Sequence, residues 1–266
     1  MPDTQSKVQE TIRIAGSTDT GILRSHNQDY IGFDQKAGIA VLADGMGGHQ
    51  AGEIASRMAV EILMEKLELL ANQQSVRPIT ASHLLDSVSN TISYSNTEIY
   101  EAAEAHPDRK GMGTTVVTAL FTGPHLYIGH AGDSRLYLYR DQVIRKITKD
   151  HSLVQDLIDR GFYTEREAKN ASISNVVTRA LGIKEEVEAD ALRISLEDED
   201  RILICSDGLT DMVADWQIAE TISDHIDDID LTVSKLIDLA NNHGGRDNIS
   251  VILMKVNHLN GDLQME

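Results

Sequence analysis

The sequence predicts an α+β fold in which antiparallel strands form a core covered by helices, and three observations predict it. Its apolar residues fall into two kinds of run, one short and rich in β-branched or alternating residues, the other spaced by three and four. The strand-like runs come in consecutive groups joined by short turns. The two long helical stripes sit together between those groups, so the strict β-α-β alternation of a doubly wound parallel sheet is missing.

In chain order, strands are expected at residues 39–42, 114–121, 125–130, 135–139, 201–205 and 250–256. Gly123-Pro124 separates two of them and reads as a hairpin turn, and Arg140-Asp141 is expected to turn the next pair. Ala55, Met58, Ala59, Ile62, Leu63, Leu67 and Leu70 form one helical stripe, and Leu84, Val88, Ile92 and Ile99 form another. Shorter helices are expected at 151–160, 215–223 and 229–241. A single domain is expected over residues 12–256, with polar tails at 1–11 and 257–266. At 266 residues and 41% hydrophobic content the chain can bury a substantial core, and with 4% aromatic residues that core must be aliphatic.

No apolar run approaches the roughly 20 residues of a membrane-spanning helix. The N-terminus shows no basic segment followed by an apolar one, and Cys205 is the sole cysteine, so a cytoplasmic protein without disulfides is expected. A formal charge of −18 disfavours nucleic acid and anionic membranes as partners. Most of that charge reads as a solvated surface, but some carboxylates are candidates to hold metal.

Four aspartates share a setting beside a strand and next to glycine or a small polar residue: Asp44, Asp133, Asp207 and Asp247. An aspartate in such a turn commonly bonds only nearby amides. Two Asp-Gly steps that end strongly apolar strands, however, deliver two carboxylates to one sheet edge. Hard cations such as Mg²⁺ or Mn²⁺ take oxygen ligands, whereas the histidine spacing and the single cysteine disfavour zinc. Arg24 offers a planar fork suited to a phosphate dianion, although a loop arginine is commonly just a surface residue. The stretch Gly45-Met-Gly-Gly-His49 before a helix near Gly52 lacks the following Gly-Lys-Ser/Thr of a P-loop. Cys205 has Asp211, not Arg, six positions on and sits in an apolar run, so it reads as a small buried hydrophobe and not a phosphatase nucleophile.

Arg24-Ser-His-Asn-Gln-Asp29, Asp44-Gly-Met-Gly-Gly48, Gly111-Met-Gly-Thr-Thr115, Gly132-Asp-Ser-Arg135, Ser206-Asp-Gly208 and Gly244-Gly-Arg-Asp-Asn248 occur in this order. As an ordered set they make the chain resemble the protein phosphatase 2C-like, metal-dependent (PPM) family in its compact bacterial form. The resemblance implies a four-layer α-β-β-α sandwich, with two antiparallel sheets flanked by helices and a metal cleft at one end. It implies a serine/threonine protein phosphatase, acting on phosphorylated proteins in opposition to a kinase. It also implies two core Mn²⁺ or Mg²⁺ ions and a weaker third. By the same resemblance, Asp44 bridges two ions, the Gly45 carbonyl completes one, Asp207 and Asp247 bind the other, and Asp133 with Asp207 takes the third. Arg24 matches the phosphate-binding arginine and Asp29 an acidic position that bonds metal-bound water. Residues 150–182 match a flap region. Where some relatives carry a histidine after the Asp-Gly pair this chain has Met46, and His49 is the candidate substitute for contact with substrate. Two ions about 3.5–4 Å apart would acidify a bridging water. A catalytically silent phosphoprotein-binding module would show degenerate metal positions, and here each is intact. A monomer is expected at this size and polarity.

Overall fold

The computed structural model describes residues 11–48, 51–164, 167 and 176–259. Among them eleven strands form two antiparallel sheets. The first sheet runs β1 (Ile12–Asp19), β11 (Ile249–Val256), β10 (Arg201–Cys205), β7 (Arg135–Arg140) and β8 (Val143–Lys146) from edge to edge. The second runs β2 (Asp29–Asp34), β3 (Ile39–Met46), β5 (Val116–Thr122), β6 (His125–Ala131) and β9 (Asp190–Ser195), with the two-residue β4 (Gly113–Thr114) pairing to the end of β3.

The period of two along β3 shows how the layers arise. Ala40 and Leu42 point into the core between the sheets, alongside Ile128, Leu138, Ile204 and Ile252. Ile39, Val41 and Ala43 point the other way, against α1 (Ala51–Val76) and α2 (Ala81–Ala105). On the first sheet Tyr137, Leu203 and Val251 turn outward against α5 (Asp215–Asp224) and α6 (Ile229–Asn242). The result is the four-layer α-β-β-α sandwich. Central strands covered on both faces read as continuous apolar runs, which is why they stood out in the sequence. Each fully buried Leu or Ile contributes about 1.5–3 kcal/mol to holding the layers.

Helix boundaries follow local chemistry. Thr80 caps α2 by accepting from the His83 amide, and Asp228 caps α6 by accepting from the Leu231 amide at 3.0 Å. The expected helix at 151–160 is shorter, α3 (Leu153–Asp159), because Ser152 caps it by accepting from the Gln155 amide. A single helical turn, α4 (Asp207–Thr210), follows β10 directly.

Five elements depart from expectation. The run 114–121 is two strands, since Thr115 leaves the ladder to bond the Asp44 backbone. The β7–β8 turn falls on Asp141 and Gln142, both left-handed at φ 52° and 62°, one residue later than expected. The strands β1, β2 and β9 were not evident from pattern, because polar residues and Gly16 or Gly32 interrupt their apolar positions. Part of the flap region and part of both expected tails lie outside the described residues. No helix among the described residues is long and apolar enough to cross a membrane.

Candidate active site

Strand register brings the motif residues to one end of the sandwich. Asp29 opens β2 and lies directly across from Asp44 near the end of β3. The start of β5 pairs with the end of β6, which leads into the turn holding Asp133. In the other sheet the end of β10, just before Asp207, pairs with the starts of both β11 and β7. Asp247 sits in the turn that leads into β11. All five carboxylates therefore converge where the two sheets end, close enough to influence one another's ionisation.

The surrounding residues fix them in place. The Asp44 amide donates to Thr115 Oγ1 at 3.1 Å, and its carbonyl accepts from the Thr115 amide at 2.8 Å and from Thr114 Oγ1 at 2.9 Å. Thr115 Oγ1 also lies 2.8 Å from Ser134 Oγ, which ties Asp44 to the Asp133 turn. Ser206 donates to Asp29 Oδ2 at 2.8 Å and accepts from the Ser250 amide at 2.9 Å. The Asn248 side chain accepts from the Gln28 amide at 2.8 Å and donates to the carbonyls of Thr20 and His26, both at 2.9 Å. It thereby staples the loop that carries Arg24, whose Nη2 donates to Asp247 Oδ2 at 2.7 Å. At Gly45 a Cβ would collide with the backbone of Gly52 and of Gln28, so only glycine lets β3, the β2 entry and the α1 start meet there.

The electrostatics are those of carboxylates waiting for cations. Burial, and then the charges of Asp29, Asp207, Asp133 and Asp247, hold the Asp44 carboxyl well above the usual carboxylate range. Burial and then Asp133, Asp211, Asp247 and Asp29 do the same to Asp207. Burial raises Asp29 to about 6 against the opposing hydrogen bonds of Ser250 and Ser206, and burial with Asp150 raises Asp133 to about 6. Asp29 Oδ1 and Asp207 Oδ1 are buried with no hydrogen-bond partner among the described residues. An orphaned buried oxygen on an acid surrounded by other acids fits a hard divalent cation, as does an all-oxygen donor set.

The structure thus brings together Arg24, Asp29, Asp44, Gly45, Asp133, Asp207 and Asp247. His49 lies outside the described residues. Sequence reasoning missed Asp211, whose carboxyl is also raised, by burial first, and whose amide donates to the Asp207 carbonyl at 2.7 Å. Its spacing of four from Asp207 on a helical turn was the available signal. It also gave no role to Thr115, Ser206 or Asn248. Cys205 is fully buried and its thiol is pushed up to about 12 by that burial, which removes it as a nucleophile.

Converging carboxylates with a guanidinium beside them, at the end of an α-β-β-α sandwich, are an arrangement suited to divalent cations and a phosphate group, and that combination is the one expected of a metal-dependent phosphatase. The family model for protein phosphatase 2C matches residues 24–241. The serine/threonine phosphatase stp of Listeria innocua is 38% identical over 247 residues, covering 90% of this chain and 94% of that protein. The phosphatase PstP of Mycobacterium tuberculosis is 37% identical over 94% of this chain, which spans 46% of that longer protein. A crystal structure of PstP superimposes with a TM-score of 0.84 at 36% identity, covering 93% of this chain and 100% of that one. A structure of the PstP catalytic domain with two manganese ions gives 0.81, covering 93% and 99%. The chain belongs to the protein phosphatase 2C family and is a protein-serine/threonine phosphatase.

Proposed function

We propose that this chain removes phosphate from phosphoserine and phosphothreonine in proteins by means of two core divalent ions held by Asp44, the Gly45 carbonyl, Asp207 and Asp247. Asp133 and Asp207 would hold a weaker third ion. The carrying observation is the convergence of five carboxylates with orphaned oxygens on Asp29 and Asp207. When bound, such ions supply an acidified water and Lewis-acid stabilisation of developing charge. The chain's own residues do the rest. Arg24, half exposed at the rim and steadied by Asp247, presents its fork to the phosphate oxygens. Asp29, braced by Ser206, is placed to accept a hydrogen bond from a water at the site. Thr114, Thr115 and Asn248 hold the backbone so that these groups need not reorganise during the reaction.

Manganese is the first ion to test, since PstP has been solved with two manganese ions, and magnesium shares its preference for oxygen. The fold needs residues 12–256, and the enzyme works as a cytoplasmic monomer opposing a serine/threonine kinase or acting on that kinase's targets. The decisive experiment is hydrolysis of a phosphothreonine peptide with Mn²⁺ and then with excess chelator. Metal-dependent phosphate release that disappears in Asp207→Ala supports the reading. Release that persists in that variant at saturating Mn²⁺ overturns the ligand assignment.

A further inference from the structure

Beside this site lies a cluster that no role above uses, with its two histidines buried and its Asp190 and Arg179 partly exposed. The His130 and His151 rings pack at a tilt of 32° with centroids 4.5 Å apart, and the ligand atoms of His130, His151 and Asp190 lie within 4.8 Å of one another. Such a group could suit a metal, but its charge is already balanced. Arg179 Nη1 lies 3.1 Å from Asp190 Oδ1, and His151 Nε2 is 3.2 Å from Asp190 Oδ2. The geometry is that of a hydrogen-bonded relay with a resident guanidinium.

The relay ends on the cleft. The His151 amide donates to the Gly132 carbonyl at 2.7 Å, and the Gly132 amide donates back to His151 Nδ1 at 3.2 Å. Because Nδ1 is the acceptor, the ring proton resides on Nε2 and points to Asp190. Gly132 immediately precedes Asp133. It has a left-handed φ of 122°, and a Cβ there would come within 2.5 Å of Thr115. This turn has one conformation to hold, and His151 holds it from two sides. The His151 carbonyl also accepts from the Thr178 amide at 2.8 Å, and Ser152 bridges to Val177, which fixes the chain that returns to Arg179. His130, buried beneath with neither ring nitrogen hydrogen-bonded among the described residues, supplies the surface against which the His151 ring packs.

We propose that His151 is a positioning residue for the metal cleft, clamping the Gly132–Asp133 turn to the Asp190–Arg179 ion pair so that the Asp133 carboxylate is delivered at a fixed place. The proposal rests on the phosphatase reading of the cleft. Groups that orient a ligand without touching the metal are commonly worth about 10–100-fold in metal affinity or activity.

The test uses the full chain with p-nitrophenyl phosphate across a Mn²⁺ titration. His151→Leu, which removes both ring bonds, is expected to lower kcat about tenfold or more and to raise the Mn²⁺ concentration for half-maximal activity, with KM little changed. His151→Asn, whose Oδ1 can still accept from the Gly132 amide, is expected to recover most of that loss. Equal losses in the two variants, or an unshifted Mn²⁺ curve in His151→Leu, overturn the proposal, because a purely structural role would lower thermal stability without moving the metal dependence. If His151→Leu does not fold, His151→Asn is compared with His151→Gln, and equal kcat and Mn²⁺ curves for those two overturn it. Wild-type protein without Mn²⁺-dependent hydrolysis refutes the phosphatase reading instead. In that case calorimetric Mn²⁺ affinities of wild type and variants decide the clamp, weaker binding in the variant that lost the Gly132 bond supporting it and equal binding refuting it. Zinc bound by wild type and lost in His130→Gln would also overturn it in favour of a metal site.

Discussion

Asp44 and Asp150 lie at the same end of the molecule, and their surroundings treat a carboxylate in opposite ways. Burial pushes both upward. At Asp150 the Arg135 guanidinium, 2.7 Å away, and the Lys146 ammonium, 3.2 Å away, outweigh it and bring the carboxyl below the usual range. At Asp44 the leading influences after burial are other aspartates, and every one raises it. Asp200, wholly buried at the far end of β10, also has its own cation, with Arg140 donating to both its oxygens at 2.7 and 2.6 Å. Burial alone therefore does not mark a functional acid. A buried carboxylate that has its own cation is a finished structural pair. One surrounded by its own kind stores a free-energy cost that a bound cation relieves.

Removing an acid from each group separates them. Asp207→Ala is expected to cut kcat on phosphothreonine peptides by about 10³-fold or more while the metal-free protein melts within a few degrees of wild type. A large loss of stability without loss of rate would erase the contrast. Asp150→Ala is expected to do the reverse, costing about 1–3 kcal/mol in urea unfolding because the partly buried Arg135 loses its carboxylate partner. Arg24→Ala should lower kcat/KM about 10–100-fold with little change in melting temperature, since it removes a charge-assisted contact to phosphate from an exposed side chain.

The smallest effect sharpens the comparison through pH. Burial pushes the Asp29 carboxyl up from its ordinary 3.8 to about 6. In metal-free protein folding therefore favours its protonated form, so the ionised carboxylate costs stability above pH 6 and not below pH 4. Asp29→Asn is expected to stabilise metal-free protein by about 1–2 kcal/mol at pH 8, with the gain fading as pH falls through 6 to 4. Bound Mn²⁺ should shrink that gain, because the cation offsets the charge. A gain that grows toward low pH would show that Asp29 is instead held ionised, like Asp150.

Much of this was legible in order along the chain. The apolar runs of β3, β5, β6, β7, β10 and β11 declared themselves because both faces of those strands are covered. Asp44 and Asp207 were visible as acids that end such runs before glycine. The edge strands β1, β2 and β9, with partly exposed faces, gave weaker signals. Asp211 and the His130–His151–Asp190–Arg179 relay gave almost none. No single stretch of chain contains that relay, and a buried histidine between apolar neighbours looks like any other core residue.

The sequence by itself determined which residues could carry the chemistry, since residue type and local turn preference are written position by position. It also determined the two periodicities from which the layers are built. Only the tertiary structure decided which carboxylates would share a cleft without a cation and which would be closed by an arginine. That outcome depends on register: Asp29 faces Asp44 because β2 and β3 pair as they do, and Asp150 meets Arg135 because Gly132 and His151 bring their two segments together. The field at a charge is a sum over neighbours in space, and which neighbours those are is fixed only when the sheets close.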